Sequence, residues 1–294
     1  MAFSLLLLIL FAAGLWLMFF FLLPPLFQVS QIVGRRLHRW LLARSVWKRI
    51  APLSSGPWRA YLPVIGVLAV GTAVTLLGGW IFLELADSLH QQDTPVREVD
   101  QQIYGWARGL RNTEITPLFV WATVVGTPVG LAVIVAIFSS ILALQKRFRW
   151  VAYLAFTGIG GGLMNILLKS FFVRSRPDLA EALRQAHGYS FPSGHAMGTT
   201  IVMAALSYLA MRATASWSLR SAALSVATTL VILISFSRIY LGVHWASDIA
   251  AGIAAGAIWV AATTLGYEVF RRIRALRATR QAAPLGSAIP AARR

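Results

Sequence analysis

Residues 219–236, LRSAALSVATTLVILISF, and residues 246–267, ASDIAAGIAAGAIWVAATTLGY, are two apolar runs joined by SRIYLGVHW at 237–245. A helix of about 20 apolar residues crosses a bilayer core, so each run is long enough to span. The connector contains Gly242 and leaves room only for a short loop between two helices. The stretch therefore predicts a helical hairpin in a membrane. Working outward, five more runs of this kind lie at 5–23, 62–84, 117–143, 150–168 and 196–211. Hydrophobic residues make up 57% of the 294-residue chain and charged residues 13%, more apolar surface than one soluble core can hide. The fold class that follows is all-α, a polytopic membrane helical bundle of six core helices with one extra N-terminal transmembrane helix.

The run at 5–23 lacks a basic leader and a small-residue cleavage signal, and Pro24-Pro25 closes it, which predicts a retained anchor. The run at 196–211 is short and carries Thr199 and Ser207, groups that neighbouring helices can satisfy inside a bundle. The expected organisation is an anchor at 1–29, a basic linker at 30–61, a core at 62–268 and a basic disordered tail at 269–294. Residues 86–117 mix acids and arginines with Ile103, Trp106 and Leu110, a pattern of either an amphipathic helix on the membrane surface or a solvated loop. The absence of cysteine excludes disulfides, thiolate metal sites and thiol nucleophiles.

Charge sets the orientation. Of the 27 Lys and Arg residues, 19 fall in 30–60, 146–149, 212–220 and the tail after 270, on one side of the predicted spans. Cytoplasmic loops collect positive charge, so this side is inside. The remaining cations, Arg97, Arg108, Arg111, Lys169, Arg174, Arg176, Arg184 and Arg238, lie on the outer side. The net charge of +17 is thus a topology signal; spread over short loops and a tail, it gives no basic face for nucleic acid.

Three clusters place polar chemistry on that outer face. Lys169 and Arg176 stand seven apart, which on one helix puts both on the same side, and Pro177 ends any helix near Arg176. Lysine supplies a point charge and arginine a planar fork, the two side-chain ways of gripping phosphate oxygens; by themselves the pair fits snorkelling cations better. Pro192-Ser193-Gly194 makes a turn before a helix starting near His195, so Ser193 can cap it or donate its hydroxyl, Gly194 allows close backbone approach, and the helix N-terminus attracts an anion. His195 is positioned to protonate a departing oxygen. His244 and Asp248, four apart, face the same way on a helix; the carboxylate can fix one ring nitrogen and leave the other as a nucleophile, with Arg238 as a third cation.

Taken together, these residues resemble the type 2 phosphatidic acid phosphatase family, which shares its fold with vanadium haloperoxidases. The family signature is a lysine, six residues and Arg-Pro; then Pro-Ser-Gly-His; then Ser-Arg, five residues, His, three residues and Asp. The chain matches each fixed position between Lys169 and Asp248. The resemblance implies that His244 attacks phosphorus, Asp248 orients it, His195 protonates the leaving group, and Lys169, Arg176, Ser193, Gly194 and Arg238 hold the phosphate oxygens. It implies neither cofactor nor metal, three fixed cations doing the neutralising.

The expected substrate is a membrane lipid phosphate or diphosphate, of phosphatidate, phosphatidylglycerol phosphate or polyprenyl diphosphate type, met at the outer face of a bacterial inner membrane. Phe171, Phe172, Tyr189, Phe191 and Trp245 fit either a groove for its tail or an interfacial aromatic belt. Transfer of the phosphate to an alcohol, or binding and transport of a lipid phosphate without catalysis, are the alternatives.

Overall fold

Helices form where the apolar runs predict them. The computed structural model describes residues 62–89 and 95–282, together with 13, 14, 16–18, 20 and 21. The proposed anchor at 1–29 falls largely, and the linker at 30–61 wholly, outside the described residues. In chain order the helices are α1 (Leu62–Asp87), α2 (Pro95–Gly109), α3 (Thr116–Val125), α4 (Pro128–Leu144), α5 (Phe148–Phe171), α6 (Gly194–Ala213), α7 (Trp217–Tyr240) and α8 (Ala246–Ala282). Among the described residues five helices, α1, α5, α6, α7 and α8, are long and apolar enough to cross a membrane, and α3 with α4 makes a sixth, broken span.

That break corrects the expectation of one helix over 117–143. The chain bends by 59° between α3 and α4. Its cause is local: Thr127 leaves the helix at φ −66° and ψ 156°, its Oγ1 accepts from Gly130 N at 3.0 Å, and Pro128, which has no N–H to donate, opens the new helix.

The shortest predicted run, 196–211, becomes the most enclosed of the spans, α6. It packs among α5, α7 and α8, with Met197 and Ile201 meeting Ala255 and Val260 of α8. Towards its far end Ala205 and Leu209 join Tyr153 and Leu154 of α5 and Leu142 of α4. Some hydroxyls inside the spans bond to the preceding turn: Ser221 Oγ donates to Trp217 O at 2.8 Å and Thr263 Oγ1 to Trp259 O at 2.9 Å.

Two further expectations change. Residues 269–282 are helical, continuing α8 into the segment expected to be disordered. Glu268, 5% exposed, holds Arg271 at 2.7 Å and Arg272 at 3.6 Å across the next turn, which extends the helix. Between Ala86 and Pro117 the amphipathic alternative is realised as α2, whose buried face carries Ala107 and, unexpectedly, Asp100 at 2% exposure.

Candidate active site

The loop after α5, the start of α6 and the α7–α8 turn meet at one end of the bundle. Lys169 lies in the last turn of α5, which stops at Phe171, so Arg176 projects from the following loop and does not share a helix face with Lys169 as the spacing predicts. The two still converge. Lys169 Nζ donates to Tyr189 O at 2.6 Å, and Arg176 Nη2 donates to the same oxygen at 3.1 Å. Arg176 also donates to Gly188 O at 3.0 Å, His187 O at 3.0 Å and Val243 O at 2.7 Å, stitching the 187–189 loop to the α7–α8 turn.

Ser193 is the N-cap residue of α6, but its side chain makes no capping bond and its buried Oγ has no partner. Its backbone ties the turn down: Ser193 N donates to Asp248 O at 3.0 Å. A Cβ on Gly194 would stand 2.8 Å from Asn165 Oδ1 on α5, so glycine allows this close approach. Arg238, 7% exposed in the last turn of α7, donates through Nη1 to Thr123 Oγ1 and keeps Nε unpaired. His195 Nε2 is also buried without a partner. The imidazole lies within electrostatic reach of Arg238, His244 and Lys169. An unpaired buried polar atom costs about 1–3 kcal/mol, and three of them beside this cluster give it capacity to bind a polar group.

His244 occupies the turn before α8. Gly242 makes that turn with φ +81°, a left-handed conformation that suits glycine. His244 Nε2 lies 3.2 Å from Arg176 Nη1, and His244 Nδ1 lies 3.3 Å from Asp248 Oδ2. A guanidinium only donates, so Nε2 must accept and the ring proton sits on Nδ1, facing the carboxylate. The neutral imidazole thus points its lone pair at the tip of the Arg176 guanidinium. Burial pushes the His244 pKa down to about 4, although the hydrogen bond and charge of Asp248 oppose the shift. Burial also lowers the pKa of Arg176, and Asp248 partly offsets it.

Asp248 is fully buried and fully bonded. Oδ2 accepts from Trp245 N at 2.9 Å as well as facing His244, and Oδ1 accepts from Arg174 Nη1 at 2.6 Å. Arg174 reaches Asp100 Oδ2 through Nη2 at 2.7 Å and Ser247 Oγ through Nη1 at 2.7 Å. Ser247 N donates to Asp100 Oδ1 at 2.8 Å, and its hydroxyl donates to Asp100 Oδ2. Arg174, Asp100, Ser247 and Thr123 are contacts that spacing did not single out. Arg174 carried one available signal, a third cation two residues before Arg176 on the side poor in positive charge.

The aromatic residues divide. Phe191 is buried and packs with Phe172 at 5.2 Å and Phe82 at 5.6 Å between ring centroids, so it belongs to the core and lines no groove. Phe171 is 83% exposed on the outside of the bundle.

Residues 149–272, a span holding the three clusters from Lys169 to Asp248, match the family model described as PAP2 superfamily. Over this region the chain is similar to the PAP2 superfamily. The chain is 27% identical over 177 residues to phosphatidylglycerophosphatase B of Bacillus subtilis (strain 168), covering 60% of this chain and 85% of that protein. It is 34% identical over 130 residues to the decaprenylphosphoryl-5-phosphoribose phosphatase of Mycobacterium tuberculosis (strain ATCC 25618 / H37Rv), covering 42% of this chain and 64% of that one. The crystal structure of a transmembrane PAP2 type phosphatidylglycerolphosphate phosphatase from Bacillus subtilis shares the fold, with a TM-score of 0.60 at 24% identity over 67% of this chain and 95% of the other. The protein is an integral membrane protein whose core shares the fold of a PAP2 type membrane phosphatase, and PAP2 family phosphatases hydrolyse lipid phosphates.

Proposed function

We propose that this chain hydrolyses a lipid phosphate or diphosphate through a phosphohistidine on His244, without a metal ion. The observation that carries the reading is the pair of contacts on His244: Nδ1 at 3.3 Å from Asp248 and Nε2 at 3.2 Å from Arg176. A lone pair held beside a phosphate-binding cation has the orientation that in-line attack requires.

In this mechanism Lys169, Arg176, Arg238, Ser193 Oγ and the Gly194 amide hold the phosphate oxygens and stabilise their charge in the transition state. His244 Nε2 attacks phosphorus, the bond to the lipid oxygen breaks, and His195, protonated beside the bound dianion, gives its proton to that oxygen. Asp248 balances the positive charge on the phosphorylated ring. Water then attacks phosphorus and gives a proton to His195, the N–P bond breaks, and inorganic phosphate leaves with His244 neutral again. Arg174 and Asp100 hold Asp248 in position.

The substrate class proposed is a glycerolipid or polyprenyl lipid with a terminal phosphate or diphosphate. The relatives named for phosphatidylglycerophosphate and decaprenylphosphoryl-5-phosphoribose support it. The charge asymmetry supports a reaction on the extracytoplasmic face of a bacterial inner membrane. The test is phosphate release from detergent-solubilised protein across phosphatidate, phosphatidylglycerol phosphate and polyprenyl diphosphate, for wild type and His244→Ala. Release by the wild type alone is expected; equal release by the variant contradicts the assigned nucleophile.

A further inference from the structure

At the opposite end of the bundle lies a second group of cations that the phosphatase chemistry does not use. Lys169 is near the C-terminus of α5 and Asp248 near the N-terminus of α8. Phe148 at the start of α5, and Arg271 well along α8, therefore lie about 30 Å away by helical rise. There the α4–α5 turn and α8 border an open surface cavity of about 480 Å³, lined by Lys146, Arg147, Arg149 and Arg271 with the rings of Phe148, Trp150 and Tyr267. That volume falls in the range of about 300–1,000 Å³ of small-molecule sites.

The cavity wall is fixed before any ligand arrives. Lys146 takes φ +58°, and the turn is closed by Lys146 N to Ala143 O and Arg147 N to Leu142 O, both 2.8 Å. Arg147 lies over the Trp150 ring at 4.7 Å. Arg271 is anchored through Nε at 3.1 Å and Nη2 at 2.7 Å to Glu268, which is buried and accepts from Tyr208 Oη at 2.5 Å. Among the described residues Lys146, Arg147 and Arg149 form no ion pair with a carboxylate, leaving their charge to the cavity.

An apolar track leads away from it. Phe148, Phe156, Ile159, Leu163 and Ile166 are 58–67% exposed. At about 100° per residue these positions share one face of α5, within an arc of roughly 80°. The track is exposed on the outside of the bundle and starts at Phe148, which lines the cavity.

We propose that this cavity binds the phosphodiester headgroup of an anionic glycerophospholipid in the leaflet opposite the catalytic cluster, with its acyl chains along the Phe148–Ile166 face of α5. Convergent cations, interfacial aromatic rings and an adjoining apolar face match the three parts of such a lipid. The inference rests on membrane embedding and is independent of the phosphohistidine, so an active His244→Ala variant would leave it standing.

The test is binding of dioctanoyl phosphatidylglycerol, dioctanoyl phosphatidylcholine and inorganic phosphate to the detergent-solubilised full chain by native mass spectrometry. It compares wild type, the triple variant Lys146→Gln/Arg147→Gln/Arg149→Gln, and Lys169→Gln, which alters the catalytic cluster. The wild type should retain phosphatidylglycerol at least tenfold better than phosphatidylcholine, and an equal concentration of inorganic phosphate should not displace it. The triple variant should lose that preference and Lys169→Gln should keep it. Single Lys146→Gln and Arg147→Gln changes at these exposed positions should each weaken binding about threefold, which serves if the triple variant is not recovered folded. Unchanged phosphatidylglycerol binding in the cavity variants, its loss in Lys169→Gln instead, or its displacement by an equal concentration of inorganic phosphate would overturn the proposal.

Discussion

Arg174 Nη1 stands 2.6 Å from Asp248 Oδ1, so the carboxylate behind His244 is held by a second cation from the loop after α5. The same guanidinium reaches Asp100 on α2 at 2.7 Å, linking that helix to the turn that carries His244. Arg174→Gln leaves two buried carboxylates without their cation. Removing one partner of a buried ion pair costs about 3–5 kcal/mol. The expected result is a clear drop in the thermal unfolding midpoint in detergent, with kcat reduced more than KM is raised. An unchanged midpoint would contradict the proposed clamp.

Burial disfavours the imidazolium of His244, so the ring stays neutral down to about pH 4, against about 6.5 for a free imidazole. After allowance for ionisation of the substrate, the loss of kcat/KM from this group should appear near pH 4. Below about pH 6.5 the unfolded chain takes up a proton that folded His244 refuses. This residue's contribution to stability therefore falls as pH drops from about 6.5 to about 4. An acid limb centred at 6.5 would show that the imidazole is not desolvated as described.

Gly242→Ala tests the turn that carries His244. Its φ of +81° disfavours any side chain, and a Cβ would stand 2.6 Å from Arg111 Nη2 and 3.3 Å from Ala182 Cα. Arg111 cannot yield freely, because it donates to Tyr240 O and Glu181 O, both at 2.8 Å. The left-handed backbone alone costs about 1–2 kcal/mol. A lowered unfolding midpoint together with reduced kcat is expected; wild-type values for both would rule out a strained turn.

Three cations replace a metal in the proposed reaction. Phosphate release should therefore be the same in EDTA as with Mg²⁺, and vanadate, which mimics five-coordinate phosphorus, should inhibit it. Activity lost in EDTA and restored by a divalent ion would contradict that chemistry.

The spans and the three clusters were legible because their signals are local: run length, proline and glycine punctuation, and fixed spacing from Lys169 to Asp248. The bend at Gly126-Thr127-Pro128 was legible in principle, since Pro128 marks it, but the apolar run continues across it. Arg174 and Asp100 were not, because they are 74 residues apart and meet through the packing of α2 on α7 and α8. Ser193 shows the reverse case, a residue in a capping position whose hydroxyl stays unbonded. Spacing can place a side chain at a helix end without fixing what it touches.

The central claim is a covalent phosphate on His244. Wild-type protein mixed with lipid phosphate labelled in its terminal group, then denatured rapidly at alkaline pH, should carry acid-labile label on the peptide containing His244, and His244→Ala should carry none. Label on another residue, or full turnover by His244→Ala, would contradict it.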